Sequence, residues 1–185
     1  MKPSRLITFF QTSNSKRLLG FVSFIESIFF PIPPDLILIP MVLSKKFNWF
    51  NLAFLTTITS VIGGIFGYYL GNLFFNEIYV YIVDYGHVNS FNIAKATFVE
   101  YGILILFLSG FTPIPYKIFT ITAGFMSINI LMFIIVSMVG RGLRFYLVAY
   151  LSNKYRENIN IYLNKYFIQL TALVLIVFVL YKLYI

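Results

Sequence analysis

The chain has no cysteine and a single histidine, His87, among its 185 residues. Disulfides, thiol nucleophiles, iron–sulfur ligation and cysteine-based zinc sites are excluded, and one histidine cannot build a histidine-rich metal site. Charge is scarce as well: 11% of positions are Asp, Glu, Lys or Arg, against about 25% in ordinary globular chains, too few to cover a water-facing surface. Acidic residues are the scarcest, 6 against 14 basic ones for a net charge of +8. The basic residues are not gathered on a polar arm or domain, so orientation in a membrane explains them better than a nucleic-acid partner does. What is plentiful is apolar: 59% hydrophobic and 20% aromatic residues, with a mean hydropathy of +0.86. The bilayer is the natural solvent for such a chain.

Residues 47–76 carry no charge, and 51–75 is long enough, at about 20 residues per crossing, to span the hydrocarbon once. Within it Gly63, Gly67 and Gly71 recur at every fourth position, on one helical face where another helix can approach closely. Further spans are expected over 128–151 and 166–185. Two other apolar stretches, 18–43 and 101–126, are broken at their centres by Pro31-Ile32-Pro33-Pro34-Asp35 and by Thr112-Pro113-Ile114-Pro115-Tyr116-Lys117. Proline lacks the backbone donor and disfavours helix in the residue before it. Each half is then about 8 to 13 residues, too short to cross. Re-entrant hairpins, with tips at Pro31, Pro33 and Pro34 and at Pro113 and Pro115, satisfy these lengths if the loop backbone is buried in protein or lines water. A pair of kinked full spans is the alternative.

The broken stretches match one another. Setting Pro31 on Pro113 aligns Pro-Ile-Pro with Pro-Ile-Pro and places Asp35 opposite Lys117; setting Gly63 on Gly140 also pairs Ser60 with Ser137 and Tyr69 with Tyr146. An internal duplication of hairpin and span follows, with chance similarity between apolar segments as the competing view. A hairpin returns to its own side and the next helix crosses, so the second hairpin enters from the opposite face: an inverted repeat. The expected fold is therefore an all-α integral membrane protein. It comprises an amphipathic cytoplasmic segment (1–17) and a membrane domain (18–151) divided into hairpin 18–43, span 51–75, interfacial segment 76–100, hairpin 101–126 and span 128–151. A cytoplasmic connection (152–165) and a C-terminal span (166–185) complete it. Placing the N-terminus inside puts Lys2, Arg5, Lys16, Arg17, Lys45, Lys46, Lys154, Arg156 and Lys165 in the cytoplasm, and leaves Glu77, Asp84 and Glu100 outside with Lys95 and Lys182. This asymmetry points to a cytoplasmic N-terminus and an external C-terminus. No small-residue cleavage site follows the first apolar run, so it does not read as a signal peptide.

Five ionisable residues fall in the membrane zone: Glu26, Asp35, Lys117, Arg141 and Arg144. Each costs at least roughly 2.5–3.5 kcal/mol at a helix centre, so partners or water are required. Asp35 reads either as the N-cap of the helix after its proline loop or as an ion-pair partner of Lys117. Lys117 at a helix N-terminus opposes the macrodipole, which suggests an anion there, Asp35 or a ligand. Arg141 and Arg144 share a helical face, and Gly140 and Gly142, the second pair of packing glycines, leave room beside the Arg141 guanidinium. Arginine grips phosphate through two donors at once, so Arg141, Arg144 and Lys117 are candidate phosphate-binding residues. Structural pairing of Arg141 with Glu26 is the competing account. Glu26 and Asp35 are the candidates for proton coupling, since desolvation raises a carboxyl pKa unless a cation lies near. His87 reads as a solvated loop residue; no Ser/His/Asp spacing accompanies it, and no nucleophile–base pair or metal cluster marks an enzyme.

At Glu26-Ser27 through Asp35, at Gly110-Phe111-Thr112-Pro113-Ile114-Pro115-Tyr116-Lys117 with Ala123-Gly124, and at Gly140-Arg141-Gly142-Leu143-Arg144-Phe145, the chain resembles the DedA family (the SNARE-associated or VTT-domain superfamily), and within it the YqaA branch. The resemblance covers roughly 18–151. It implies an integral membrane protein of the bacterial inner membrane, with two re-entrant hairpins, related to lipid scramblases and to transporters of polyprenyl-phosphate carriers, some dependent on the proton gradient. By the same resemblance Glu26 and Asp35 match an acidic pair around the first hairpin and Lys117 a basic residue after the second. Glu26 and Asp35 lie closer together than in larger DedA members, and Gly110 stands where many have arginine. The expected function is a flippase or scramblase for an anionic lipid, with membrane lipids and protons as partners and no cofactor. A proton-dependent ion or small-solute transporter and a non-transporting structural protein are the alternatives. Oligomeric state leaves no mark in the sequence.

Overall fold

The computed structural model describes residues 14–112 and 115–155. The expected C-terminal span 166–185, residues 1–13 of the N-terminal segment and Pro113 lie outside them. Among the described residues the chain is all helical, in seven helices: α1 (Asn14–Glu26), α2 (Asp35–Leu43), α3 (Trp49–Leu73), α4 (Phe75–Asp84), α5 (Val88–Phe111), α6 (Tyr116–Phe125) and α7 (Ile130–Lys154). Helices α3 and α7, 25 residues each, are long and apolar enough to cross a membrane, and α5 adds a third candidate. At 1.5 Å per residue each of the two is about 37 Å long, against about 30 Å of hydrocarbon.

Local chemistry fixes the helix ends. Asn48 caps α3, its side chain accepting from the Phe50 amide at 2.8 Å, and Asn129 caps α7 by accepting from Leu131 at 2.9 Å and Met132 at 3.2 Å. These side-chain acceptors satisfy amides that have no partner inside the helix. The prolines at 31, 33 and 34 hold α1 and α2 apart, and the Thr112-to-Pro115 segment separates α5 from α6. The expected single interfacial segment, 76–100, is instead helix α4 and the first part of α5, divided at Gly86, whose φ of +72° suits glycine best. Helix α5 then turns through 66° between its Val88–Phe98 and Glu100–Phe111 parts.

Helices α3 and α7 run antiparallel. Leu52 and Ala53 at the start of α3 share an apolar cluster with Phe145 and Ala149 near the end of α7, together with Leu19 of α1 and Leu38, Met41 and Val42 of α2. Tyr68 near the end of α3 shares a second cluster with Phe133 near the start of α7, Leu106 of α5 and Tyr116 and Ala123 of α6. Between these two cores lies a buried polar waist of Ser23, Ser27, Thr56, Thr57, Ser60, Ser109, Thr120, Ser137 and Arg141.

The pairs of helices that pack together follow a similar order in the two halves, though not with equal extent. Helix α1 packs on α3 as α5 packs on α7, and α2 packs on α7 as α6 packs on α3. Both short helices end alike, with Lys45 (φ 59°) after α2 and Ser127 (φ 57°) after α6 in the left-handed region. Lipid tails are as apolar as leucine, so helices here associate through close backbone approach and polar contacts rather than by hydrophobic burial. A Cβ on Gly63 would strike the Phe24 carbonyl of α1, one on Gly71 the Ile121 carbonyl of α6, and one on Gly140 would come 2.9 Å from the Phe107 carbonyl of α5. Gly67 faces Thr120, with 2.5 Å from such a Cβ to the Thr120 hydroxyl. Gly142 differs: its nearest neighbour, Thr57 Cγ2, would stand at an ordinary 3.7 Å.

Candidate functional site

Arg141 lies near the middle of α7, about 17 Å from one end and about 20 Å from the other at 1.5 Å per residue. Its side chain is 1% exposed. A charge at such depth requires partners, and they come from the opposite half of the molecule. The guanidinium ion-pairs with Glu26, which stands on the last turn of α1. Its Nε donates to Ser60 Oγ at 2.6 Å and its Nη2 to Ser27 Oγ at 3.3 Å, and the two serine hydroxyls are themselves 2.7 Å apart. Tyr116 and Phe145 close the remaining sides, each ring centroid 4.8 Å from the guanidinium carbon. Flat rings on a planar cation add attraction where water is excluded. The room expected beside Arg141 is filled: Gly140 packs on α5, and Gly110 sits where a Cβ would lie 3.3 Å from the Arg141 amide.

Arg144, one turn further along α7, makes a second ion pair, with Asp35. Its Nη1 also donates to the Thr112 carbonyl at 2.7 Å. This pair is more open, with 14% of the arginine and 17% of the aspartate side chain exposed. The expected N-cap role of Asp35 is not what the structure shows: Pro34 occupies the cap position and Asp35 is the first helical residue, with no side-chain capping bond. A carboxylate there still suits the positive end of the helix dipole.

Lys117 does not meet Asp35. Its ammonium donates to the carbonyls of Phe29 at 3.2 Å and Phe30 at 3.0 Å, at the tip of the first broken segment. Of the anions expected beside this lysine, Asp35 is not its partner; two carbonyl dipoles where α1 gives out stand there and ease its conflict with the dipole of α6. Phe30 and Thr112 are equivalent under the register that sets Pro31 on Pro113. Each loop carbonyl is therefore held by a cation of the second half, Lys117 in one case and Arg144 in the other. Of the expected tip prolines, Pro31, Pro33 and Pro34 lie in the α1–α2 break and Pro115 in the α5–α6 break.

Sequence reasoning did not single out Ser27, Ser60, Tyr116 and Phe145 around Arg141, nor the three loop carbonyls. Two signals were available: the register that pairs Ser60 with Ser137, both in the polar waist, and the motif segments in which Ser27, Tyr116 and Phe145 stand beside Glu26, Lys117 and Arg144. Tyr116 and Ser137 bury their hydroxyls against one another, and Asp35 Oδ1 is buried without a partner among the described residues.

The VTT domain family profile matches residues 31–154. An uncharacterized protein of Haemophilus influenzae is 46% identical over 134 residues, 72% of this chain and 70% of that protein. An uncharacterized homologue from Histophilus somni is 47% identical over the same length, with the same coverage of each chain. No solved structure matches the chain.

Proposed function

Because the chain belongs to the VTT-domain family, we propose that it is a DedA-type membrane transporter that moves an anionic lipid, a phospholipid or a polyprenyl phosphate, between the leaflets of a bacterial inner membrane. In this reading α1–α3 and α5–α7 are inverted repeats, and the two broken segments are re-entrant hairpins that enter from opposite faces. The antiparallel course of α3 and α7 supports it, as do the similar order of packing in the two halves and the matching left-handed residues Lys45 and Ser127. The distribution of basic residues supports a cytoplasmic N-terminus and an external C-terminus.

The observation that carries the transport reading is the joining of the two repeats by charge. Glu26–Arg141 and Asp35–Arg144 both run from the first repeat to the second, and Lys117 ties the second repeat to the tip of the first. Opening a path for a head group between the repeats exchanges these bonds for bonds to the substrate. Arg144 and Lys117 are the phosphate ligands closest to hand, because their pairs are the more exposed. Arg141 joins them only when Glu26 lets go. Coupling to the proton gradient would act through Glu26 or Asp35, the carboxylates whose pairs with Arg141 and Arg144 join the repeats.

In reconstituted vesicles the wild-type protein accelerates transfer of a labelled phospholipid or polyprenyl phosphate between leaflets, and Arg144→Ala reduces the rate at least about tenfold, the loss of a charge-assisted phosphate contact. No acceleration for any anionic lipid, with or without a pH gradient, contradicts the proposal. The closed surroundings of Arg141 favour a second reading, a structural protein whose charges only hold the repeats together. It predicts that Arg144→Ala lowers stability while no lipid ever moves.

A further inference from the structure

The cations of the crossing all have oxygen partners: Arg141 and Arg144 meet carboxylates, and Lys117 meets carbonyls. A second group has none. Lys16 and Arg17 at the start of α1, Lys45 and Lys46 after α2, and Lys154 at the end of α7 are exposed, and among the described residues no carboxylate pairs with any of them. They gather at one end of the molecule. The Lys16 ammonium lies over the Phe47 ring, 5.1 Å from its centroid, which brings the start of α1 to the loop that carries Lys45 and Lys46. Two residues on, Trp49 meets Tyr150 of α7 edge to face at 5.8 Å, and the Lys154 ammonium lies 5.7 Å from the Tyr150 ring and 5.6 Å from the Tyr155 ring. A band of aromatic rings thus joins the cations of three separate segments.

A carboxylate neutralises a cation, whereas a ring face attracts it and fixes its place but leaves its charge whole. Lys16 and Lys154 are held in the second way. The band stands at the first turn of α3 and the last of α7, the level at which aromatic rings mark the boundary between hydrocarbon and head groups. On α4 and α5, beyond the far end of α3, the exposed charges are instead Glu77, Asp84 and Glu100. We propose that the band binds anionic phospholipid head groups of its own leaflet as fixed boundary lipids, with Lys16 and Lys154 reaching phosphate from their ring faces and Arg17, Lys45 and Lys46 adding charge around them. An acidic protein surface matches the charge, but it does not account for rings at the head-group level on three segments. The lipid held here is not the one that crosses: Arg144 stands ten residues before Lys154, about 15 Å away along α7, and the proposal holds whether or not any lipid changes leaflet.

The chain's single tryptophan is Trp49, so its fluorescence reports on the band itself. The full chain is reconstituted in phosphatidylcholine containing a fixed fraction of either phosphatidylglycerol or phosphatidylcholine brominated high on the acyl chain, and quenching of Trp49 gives the relative affinity of the two head groups at that place. A preference of about fivefold or more for phosphatidylglycerol, the worth of one cation near an anionic surface, is expected at low salt. It falls below about twofold in about 1 M salt, where the screening length is about 3 Å. Replacing the five cations by glutamine (Lys16→Gln, Arg17→Gln, Lys45→Gln, Lys46→Gln and Lys154→Gln) removes the preference at low salt, whereas Arg144→Ala leaves it intact. Equal quenching by the two lipids overturns the inference and leaves an acidic protein as the partner of the same charges. A preference indifferent to salt, or one kept by the glutamine variant or lost in Arg144→Ala, overturns it as well. The salt comparison uses the wild-type chain, so the test stands even if the glutamine variant does not fold.

Discussion

Replacing Glu26 by glutamine leaves the Arg141 guanidinium charged in the middle of α7 with its one carboxylate partner among the described residues removed. Breaking a buried pair from one side costs about 3–5 kcal/mol, because the surviving charge keeps its desolvation penalty. The low end applies here, since Arg141 retains the Ser60 and Ser27 hydroxyls and two aromatic faces, and the Glu26 side chain is 13% exposed. About 3 kcal/mol corresponds to a fall in melting temperature of about 6–12 °C for a chain of this size. Thermal unfolding in detergent, followed by circular dichroism, measures it. The companion variant Arg141→Met is destabilising for the mirrored reason, and the double variant loses less than the sum of the two, because no uncompensated charge remains. A Glu26→Gln melting temperature within about 2 °C of wild type, a change worth under about 1 kcal/mol, refutes the reasoning, and so does strict additivity in the double variant.

Gly71→Ala forces α3 away from the Ile121 carbonyl of α6 and is expected to cost about 1–3 kcal/mol. Gly142→Ala, facing only Thr57 Cγ2 at 3.7 Å, leaves stability unchanged or raises it by up to about 1 kcal/mol through helix propensity; unfolding curves of the two variants side by side check the contrast. Ser127→Gly relieves a left-handed residue with φ 57° and is expected to stabilise by up to about 1 kcal/mol, read as a higher melting temperature.

The helix breaks and the two long helices were legible because they rest on local chemistry: proline removes a donor wherever it stands, and Asn48 and Asn129 cap from within the chain. Gly63 and Gly140, set opposite each other in the sequence, both stand where a Cβ would meet a carbonyl of a neighbouring helix. Partner choice was not legible. Asp35 and Lys117 occupy equivalent positions and carry opposite charge, so pairing them is the natural reading, yet Asp35 meets Arg144 of α7 and Lys117 meets loop carbonyls. Lys117 reaches the Phe29 and Phe30 carbonyls, and backbone acceptors leave no trace in side-chain identity. Arg144 takes Asp35 because it stands one turn beyond Arg141, a relation that depends on how α2 crosses α7. The division of 76–100 into two helices turned on one residue, Gly86, and periodicity does not register a single positive φ.

The central claim is that both proline-broken segments turn back on themselves and enter from opposite faces. The absence of cysteine makes every introduced thiol unique, so labelling of single-cysteine variants by a membrane-impermeant reagent in oriented vesicles tests it directly. The account predicts that Arg17→Cys and Lys46→Cys label from one side, and Glu100→Cys and Ser127→Cys from the other. Labelling of Arg17→Cys and Lys46→Cys from opposite sides, or of Glu100→Cys and Ser127→Cys from opposite sides, would make that segment a full crossing and contradict the account.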